Sequence, residues 1–273
     1  LADEMKNIRT GEISIKGNVS SQFVSALLII APVLENGLAI KIIGDFVSKT
    51  YVEMTIKMMK KFEVKVENEK NKKFVMKNQQ YKSVDLKIEA DASGASYFFG
   101  MAAVTGKRIR VNIDPKSVQG DLKFADILGK MGCLVIKNCQ EQWIEVEGPK
   151  VLKGITVNMN SMPDTAQTLA IVAAFAKGKT IITGLSTLKV KETDRLLALK
   201  KELSKMKIKS HITDDSIVII GGNPQKAVIE TYGDHRMAMA FAVAKSRIPK
   251  LIIKNPVVVN KSFPEFWKEF KKV

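Results

Sequence analysis

One order of elements recurs along the chain, strand–helix–strand–helix–strand–strand, and this repeat constrains the fold more than any other feature. The first unit is predicted as strand Glu12–Lys16, helix Ser20–Leu34, strand Ala39–Ile43, helix Tyr51–Phe62, and strands Val64–Glu67 and Lys73–Lys77. The second begins with strand Leu86–Glu89. Helix Ser93–Val104, strand Arg108–Asn112, helix Gly120–Met131 and strands Cys133–Lys137 and Trp143–Glu147 follow. The third runs from strand Gly154–Met159 through helices Asp164–Ala176 and Lys191–Met206 to strands Lys209–Ile212 and Ser216–Ile220. The fourth has strand Val228–Thr231, helix Asp234–Lys245, strand Leu251–Lys254 and helix Pro264–Lys271, and is expected to lack its closing hairpin. A period of about 65 residues exceeds the roughly 20–50 of solenoids, so a closed, pseudo-symmetric α/β arrangement is expected rather than an open array.

The first helix of each unit is rich in Ala, Ser and Met and apolar around most of its surface, so it belongs inside a domain. Helix Lys191–Met206 instead carries one stripe, Leu196, Leu199, Leu203 and Met206, which a sheet must cover.

Composition narrows the function. With 45% hydrophobic and 26% charged residues, the 273-residue chain has a globular profile, and no apolar run is long enough to span a bilayer. The formal charge of +16 raises nucleic acid, membrane surfaces and anionic metabolites as partners. Only six basic residues are arginine (9, 108, 110, 195, 236 and 247), and aromatics are sparse at 7%. Dispersed lysine reads as a solvated face rather than a nucleic-acid groove. Cys133 and Cys139 form neither a disulfide framework nor a zinc motif. The start has no apolar signal core and does not open on Met, so a cytoplasmic chain, processed or part of a longer one, is expected.

Four segments depart from the pattern of surface and core. Gly17-Asn-Val-Ser20-Ser21-Gln22 leads from a strand into a helix, where hydroxyls and free N–H groups either cap the helix or cradle a phosphate. Ser161-Met-Pro-Asp164 has capping-box spacing, or it aims a carboxylate at a ligand hydroxyl. Lys189-Val-Lys191-Glu192-Thr-Asp194-Arg195 places cations in a first turn, against the helix dipole. An intrahelical pair between Glu192 and Arg195 or a bound anion would offset that placement. Tyr232-Gly-Asp234-His235-Arg236 repeats the oddity, with His235 capping, packed in the core or lining a site. Helix starts of this kind at equivalent places in a repeat converge under pseudo-symmetry, which points to a small polyanionic, phosphorylated ligand.

Six ordered segments resemble the 5-enolpyruvylshikimate-3-phosphate synthase family. They are Gly-Asn-Val-Ser-Ser-Gln-Phe, Gly44-Asp-Phe-Val-Ser48-Lys-Thr-Tyr51, Glu89-Ala-Asp-Ala-Ser-Gly-Ala-Ser-Tyr-Phe, Pro163-Asp-Thr-Ala-Gln-Thr, Val190-Lys-Glu-Thr-Asp-Arg and Tyr232-Gly-Asp-His-Arg-Met-Ala-Met. The resemblance implies an inside-out α/β barrel of βαβαββ units, here truncated to about four of six. Residues 1–86 would be the remaining unit of an N-terminal domain and 87–273 the C-terminal domain. It implies transfer of the enolpyruvyl group of phosphoenolpyruvate to the 5-hydroxyl of shikimate 3-phosphate, with release of phosphate and no cofactor or metal. Ser20, Ser21, Gln22, Ser48, Tyr51, Asp164 and Lys191 would contact shikimate 3-phosphate. Gln22, Arg195, His235, Arg236 and Lys261 would hold phosphoenolpyruvate, and Asp164 and Glu192 would move protons.

Departures from the family pattern accompany the likeness. Thr187 stands where the family commonly has Asn, and the family's first two units, with a Gly-Ser-Lys-Ser segment, have no counterpart here. The resemblance therefore also implies a separate N-terminal fragment as a partner. The alternative is a noncatalytic remnant that binds shikimate 3-phosphate. An RNA-terminal phosphate cyclase would suit the charge but not the motifs, and a UDP-N-acetylglucosamine enolpyruvyl transferase would need a loop cysteine.

Overall fold

A computed structural model describes residues 11–273, and their packing divides the chain between Ile88 and Glu89. In the first unit β1 (Glu12–Lys16) pairs in parallel with β2 (Leu38–Ile43), and α1 (Ser21–Ile30) makes the crossover between them. β4 (Lys73–Met76) joins β2 antiparallel and β3 (Glu67–Glu69) lies outside it, giving the order β1-β2-β4-β3. α2 (Lys49–Lys61) packs on α1, with Thr55 Oγ1 donating to Ser25 Oγ at 2.9 Å. Val24, Leu28, Val52 and Met59 from the helices meet Ile40, Phe74 and Met76 from the sheet.

The second unit reverses the usual placement of helix and sheet. α3 (Ala92–Thr105), α5 (Ala166–Ala174) and α7 (His235–Arg247) pack on one another and are buried along nearly their whole lengths. Half-exposed sheets surround them. One is β5 (Arg108–Val111), β7 (Trp143–Glu147) and β6 (Leu134–Asn138) in the order β5-β7-β6, all antiparallel. The second has the order β10-β11-β9-β8, from β8 (Thr156–Asn158), β9 (Lys179–Thr183), β10 (Lys209–Ile212) and β11 (Ser216–Ile220). A third is the short parallel pair β12 (Val228–Ile229) and β13 (Ile252–Ile253). Among the described residues no sheet closes on itself. At Gly100 the inner helices pack too closely for a side chain. A Cβ there would lie 2.9 Å from Thr168 Cγ2 and 3.3 Å from Val243 Cγ1, so a side chain at this point would force α3 away from α5 and α7. Two peripheral helices complete the unit, α4 (Lys123–Lys130) and α6 (Arg195–Lys205), the latter with Leu196, Leu199 and Leu203 buried. A last short helix, α8 (Phe266–Phe270), seats Phe266 in the core.

The structure corrects several expected elements. No strand forms at Leu86–Glu89: residues 77–91 have no regular structure, and Ile88 is 79% exposed. Its alternating pattern finds no partner strand, and alternation without pairing does not make a strand. The first helix ends at Ile30 rather than Leu34 because Pro32 has no N–H to give Leu28, and residues Ala31–Val33 tighten into a 3-10 turn. β3 starts at Glu67 because Val64 N–H is spent on Met59 O, closing α2. The helix expected from Lys191 begins at Arg195, since Asp194 accepts from Leu197 N–H at 3.0 Å and fixes the start there. α1 is not enclosed as the apolar first helices were expected to be. Phe23, Ile29, Ile30 and Val33 stay exposed. In the second unit three such helices cover one another, whereas the first has only one.

Candidate active site

α3, α5 and α7 run in the same direction. Arg236 at the start of α7 reaches Tyr97 on α3 and Asp164 just before α5, while Arg247 at the far end of α7 donates to Val104 O on α3. Their N-terminal ends therefore share one side of the unit, with peptide N–H groups and positive dipole ends directed there. The residues just outside those ends are charged. Pro163–Thr165 forms a 3-10 turn before α5 with no side-chain cap, so the capping expected of Asp164 does not occur and its carboxylate turns to the cations instead. Asp234 does cap α7, accepting from Arg236 N–H at 2.8 Å.

These side chains form one network. Arg236 Nη2 donates to Asp164 Oδ2 at 3.0 Å, and Lys191 Nζ stands 3.7 Å from Asp164 Oδ1. Arg195, only 1% exposed, donates from Nε to Asp234 Oδ2 at 2.7 Å and from Nη2 to Glu192 Oε2 at 2.7 Å. Its Nη1 reaches Asp164 Oδ1 at 3.4 Å. Lys261 closes on the other oxygen of Glu192 at 2.5 Å. The pair of Glu192 with Arg195, one of the two readings of this segment, does form, but Glu192 lies before α6, so it joins loop to helix. The cluster holds four cations, Lys191, Arg195, Arg236 and Lys261, against three carboxylates, Asp164, Glu192 and Asp234. Among the described residues the cations of this cluster thus outnumber its carboxylates by one.

The electrostatics follow from this packing. Burial works to raise the carboxyl of Asp164, but Arg236, Lys191 and Arg195 together outweigh it and hold the group below the ordinary aspartate range. Burial likewise opposes ionisation of Glu192, and the Lys261 hydrogen bond and the Arg195 charge overcome it, bringing that carboxyl down to about 2. His235 is buried, and desolvation with the neighbouring Arg236 pushes it down, toward the neutral form. Its Nδ1 makes no hydrogen bond and stands 3.7 Å from Asp234 Oδ1 and 3.9 Å from Glu192 Oε1. Among the described residues no group of His, Cys, Asp and Glu side chains is arranged to hold a metal ion. Burial raises the Cys133 thiol to about 12, too high for a nucleophile at neutral pH.

In the first unit, parallel pairing of β1 and β2 brings the loops after both strands to one edge. Val47 N–H donates to Gly17 O at 3.1 Å, and Gly17 admits this approach because a Cβ would meet Asp45 O at 2.7 Å. Ser20 in the first loop and Ser21 and Gln22 at the start of α1 thus share an edge of the sheet with Ser48, just before α2, and Tyr51 in its first turn. Ser20 caps α1, accepting from Gln22 N–H at 3.2 Å, and Ser21 and Ser48 are buried. Ser48 adopts the left-handed conformation at φ 55°.

A model of the family described as EPSP synthase (3-phosphoshikimate 1-carboxyvinyltransferase) matches residues 3–270. The chain belongs to the EPSP synthase family. It is 43% identical over 267 residues to 3-phosphoshikimate 1-carboxyvinyltransferase of Marinomonas sp., covering 96% of this chain and 62% of that protein. The enzyme of the same name from Haemophilus influenzae is 44% identical, over 100% of this chain and 64% of its own length. The chain therefore spans somewhat under two thirds of these relatives. The EPSP synthase of Acinetobacter baumannii superposes with a TM-score of 0.74 at 26% identity, covering 96% of this chain and 62% of that one. The enolpyruvyl transferase NikO from Streptomyces tendae shares the fold at a TM-score of 0.73 and 14% identity. The chain has the α/β fold of the enolpyruvyl transferases.

Against the EPSP synthase pattern, seven of the residues singled out in the sequence stand in the network of the second unit: Asp164, Lys191, Glu192, Arg195, His235, Arg236 and Lys261. The other five, Ser20, Ser21, Gln22, Ser48 and Tyr51, belong to the first unit. Thr187 is buried and its hydroxyl has no hydrogen-bond partner. Sequence reasoning assigns Tyr97 no role and Asp234 only that of a cap, not of an ion-pair partner. Tyr97 is visible there only as a lone hydroxyl in a small-residue helix.

Proposed function

We propose that this chain carries the phosphoenolpyruvate-binding and proton-transfer residues of a 3-phosphoshikimate 1-carboxyvinyltransferase of the shikimate pathway, acting in the cytoplasm without a cofactor. The observation that carries the reading is the convergence of Lys191, Arg195, Arg236 and Lys261, with Asp164 and Glu192 between them, where the inner helices begin. Arg236, Arg195 and Lys261 take the carboxylate and phosphate of phosphoenolpyruvate, with His235 and Gln22 beside it. Ser20, Ser21, Gln22, Ser48, Tyr51 and Lys191 take shikimate 3-phosphate, whose ring hydroxyls Asp164 also binds.

In the reaction, the 5-hydroxyl oxygen of shikimate 3-phosphate bonds to C2 of phosphoenolpyruvate and its proton passes to Asp164. Glu192 delivers a proton to the methylene carbon. Return of a proton from the resulting methyl group to Glu192 and departure of phosphate, which takes up the proton held by Asp164, restore the enolpyruvyl double bond and both carboxylates. The free site favours ionised carboxylates, because each is held by cations. An anionic substrate competes for those cations, so the affinity of Asp164 and Glu192 for protons rises on binding, toward the range that acid–base work needs.

The share of the relatives' length that the chain covers supports residues 1–86 as one unit of an N-terminal domain. Residues 87–273 then form a C-terminal domain of two full units and one short of its hairpin, so that the chain holds about four of the six units of an inside-out barrel, with a separate N-terminal fragment as partner. The same share supports one second reading, a remnant that binds shikimate 3-phosphate without turnover. Calorimetric titration tests the site. Arg236→Ala should weaken phosphoenolpyruvate binding by about tenfold or more, as loss of a charge-assisted contact does, and shikimate 3-phosphate binding far less. Equal losses for both ligands would mean that Arg236 is misassigned.

A further inference from the structure

Glu202 is a completely buried carboxylate that takes no part in the proposed chemistry. It lies on α6, seven residues after Arg195, so the two side chains leave one face of the helix about two turns apart. Arg195 holds Asp234. Glu202 holds the chain just before Asp234: Tyr232 Oη donates to its Oε1 at 2.6 Å, and the Glu230 amide donates to its Oε2 at 3.1 Å. Lys205 Nζ donates to the same Oε2 at 2.8 Å, so the buried charge is matched.

What lies between the two anchors is a tight turn. Asp234 N–H donates to Thr231 O at 2.9 Å, and both central residues are left-handed, Tyr232 at φ 54° and Gly233 at φ 69°. That is the signature of a primed turn, which glycine and asparagine favour and tyrosine does not, because its Cβ crowds the following carbonyl. Tyr232 stays in this conformation with its ring 37% exposed, so packing does not enclose it. Its hydroxyl is anchored, and burial together with the Glu202 carboxylate raises its ionisation well above the usual tyrosine value.

We propose that Glu202 is a positioning residue of the anion site: through Tyr232 Oη and the Glu230 amide it holds the Thr231–Asp234 turn, which sets where Asp234, His235 and Arg236 stand. The proposal rests on the reading of Arg236 as a phosphoenolpyruvate ligand. α6 then acts as a clamp with two grips, Arg195 on the cap of α7 and Glu202 on the turn that delivers it.

The test uses the 273-residue chain with four single variants, Tyr232→Phe, Glu202→Gln, Leu199→Ala and Arg236→Ala. Tyr232→Phe removes one hydroxyl from a half-exposed ring and leaves the core intact. Leu199→Ala opens the buried face of the same helix without touching the turn, and so controls for general destabilisation. Amide exchange over residues 233–238 and calorimetric titration with phosphoenolpyruvate are measured for each. Tyr232→Phe and Glu202→Gln should each speed exchange there by about tenfold and weaken phosphoenolpyruvate by about tenfold, the scale of one hydrogen bond to a charged group. Leu199→Ala should lower the melting temperature yet leave both readouts near wild type. Unchanged exchange in both Tyr232→Phe and Glu202→Gln overturns the positioning role, whatever the titration gives. Wild-type affinity in those two variants, with Arg236→Ala weakening binding by about tenfold or more, overturns it too and leaves the anion-site reading standing. Wild-type phosphoenolpyruvate affinity in Arg236→Ala removes that reading, and the role of Glu202 with it.

Discussion

Arg195 is the residue on which the candidate site turns, since a guanidinium only 1% exposed is held by Asp164, Glu192 and Asp234 together. A charge so deeply placed is tolerable only because all its partners are charged too. The same pairing makes the two proton-transfer candidates sensitive to what binds. In an enzyme completed with its N-terminal part, Asp164→Asn or Glu192→Gln should lower kcat by about two decades with far smaller changes in substrate affinity, as for other acid–base groups. Steady-state kinetics with normal turnover in either variant would reject that assignment. The pH dependence of stability is set by the same residues. His235 has a depressed folded value, so it stays neutral while the unfolded chain takes up a proton below about pH 6.5, and stability falls on acidification from there. Asp164 and Glu192 are also depressed. Their contribution is complete above the unfolded carboxyl values of roughly 4 and is lost as pH falls through the folded values, about 2 for Glu192. Thermal unfolding of His235→Gln should therefore lose less stability between pH 7 and 5.5 than wild type. Identical slopes for the two proteins would show that His235 is not the group responsible.

At the scale of elements, the inner helices explain why the site lies where it does. α3, α5 and α7 can all present their N-terminal ends on one side only if they pack closely and in parallel, and at Gly100 that packing leaves no room for a side chain. Thr168 and Val243 are both β-branched and cannot swing away easily. Gly100→Ala should therefore cost about 1–3 kcal/mol by overpacking, despite the better helix propensity of alanine. Urea unfolding of this variant with unchanged or raised stability would show that the inner helices yield more than this packing implies. α1 has the same apolar composition without such neighbours. Its exposed Phe23 and Ile30 stand seven residues apart, on one side of the helix.

For the whole molecule, the decisive fact is that the chain covers 62–64% of relatives whose named activity needs two substrates. Closing a site around both reactants is worth about 7–11 kcal/mol of the barrier when the geometry is complete. These 273 residues alone should bind shikimate 3-phosphate weakly and release no measurable phosphate from phosphoenolpyruvate. Adding the rest of a relative's length, in trans or by fusion, should restore release. A phosphate-release assay showing ordinary enzymatic rates for the unaided chain would overturn this expectation, and with it the need for the further segment.

The repeat of strands and helices, and the clustering of charge at helix starts, were legible in the sequence because both follow from local pattern. Apolar periodicity marks what must be buried, and cations in a first turn are unfavourable unless something answers them. The strand expected at Leu86–Glu89 shows the limit of that reading: its alternation is as good as that of β1, but pairing needs a neighbour that only the fold can supply. The start of α6 shows it again, since periodicity alone ran the helix back to Lys191, while the cap at Asp194 freed Glu192 to face Arg195 and Lys261 from outside the helix. Tertiary structure alone decided that Arg195 is buried, that Asp234 serves as both cap and ion-pair partner, and that Tyr97 and Glu202 matter to residues 139 and 30 positions away. Local sequence determines which groups cannot be left unanswered. Which distant groups answer them depends on how the inner helices pack, a property of volume and contact that no single segment contains.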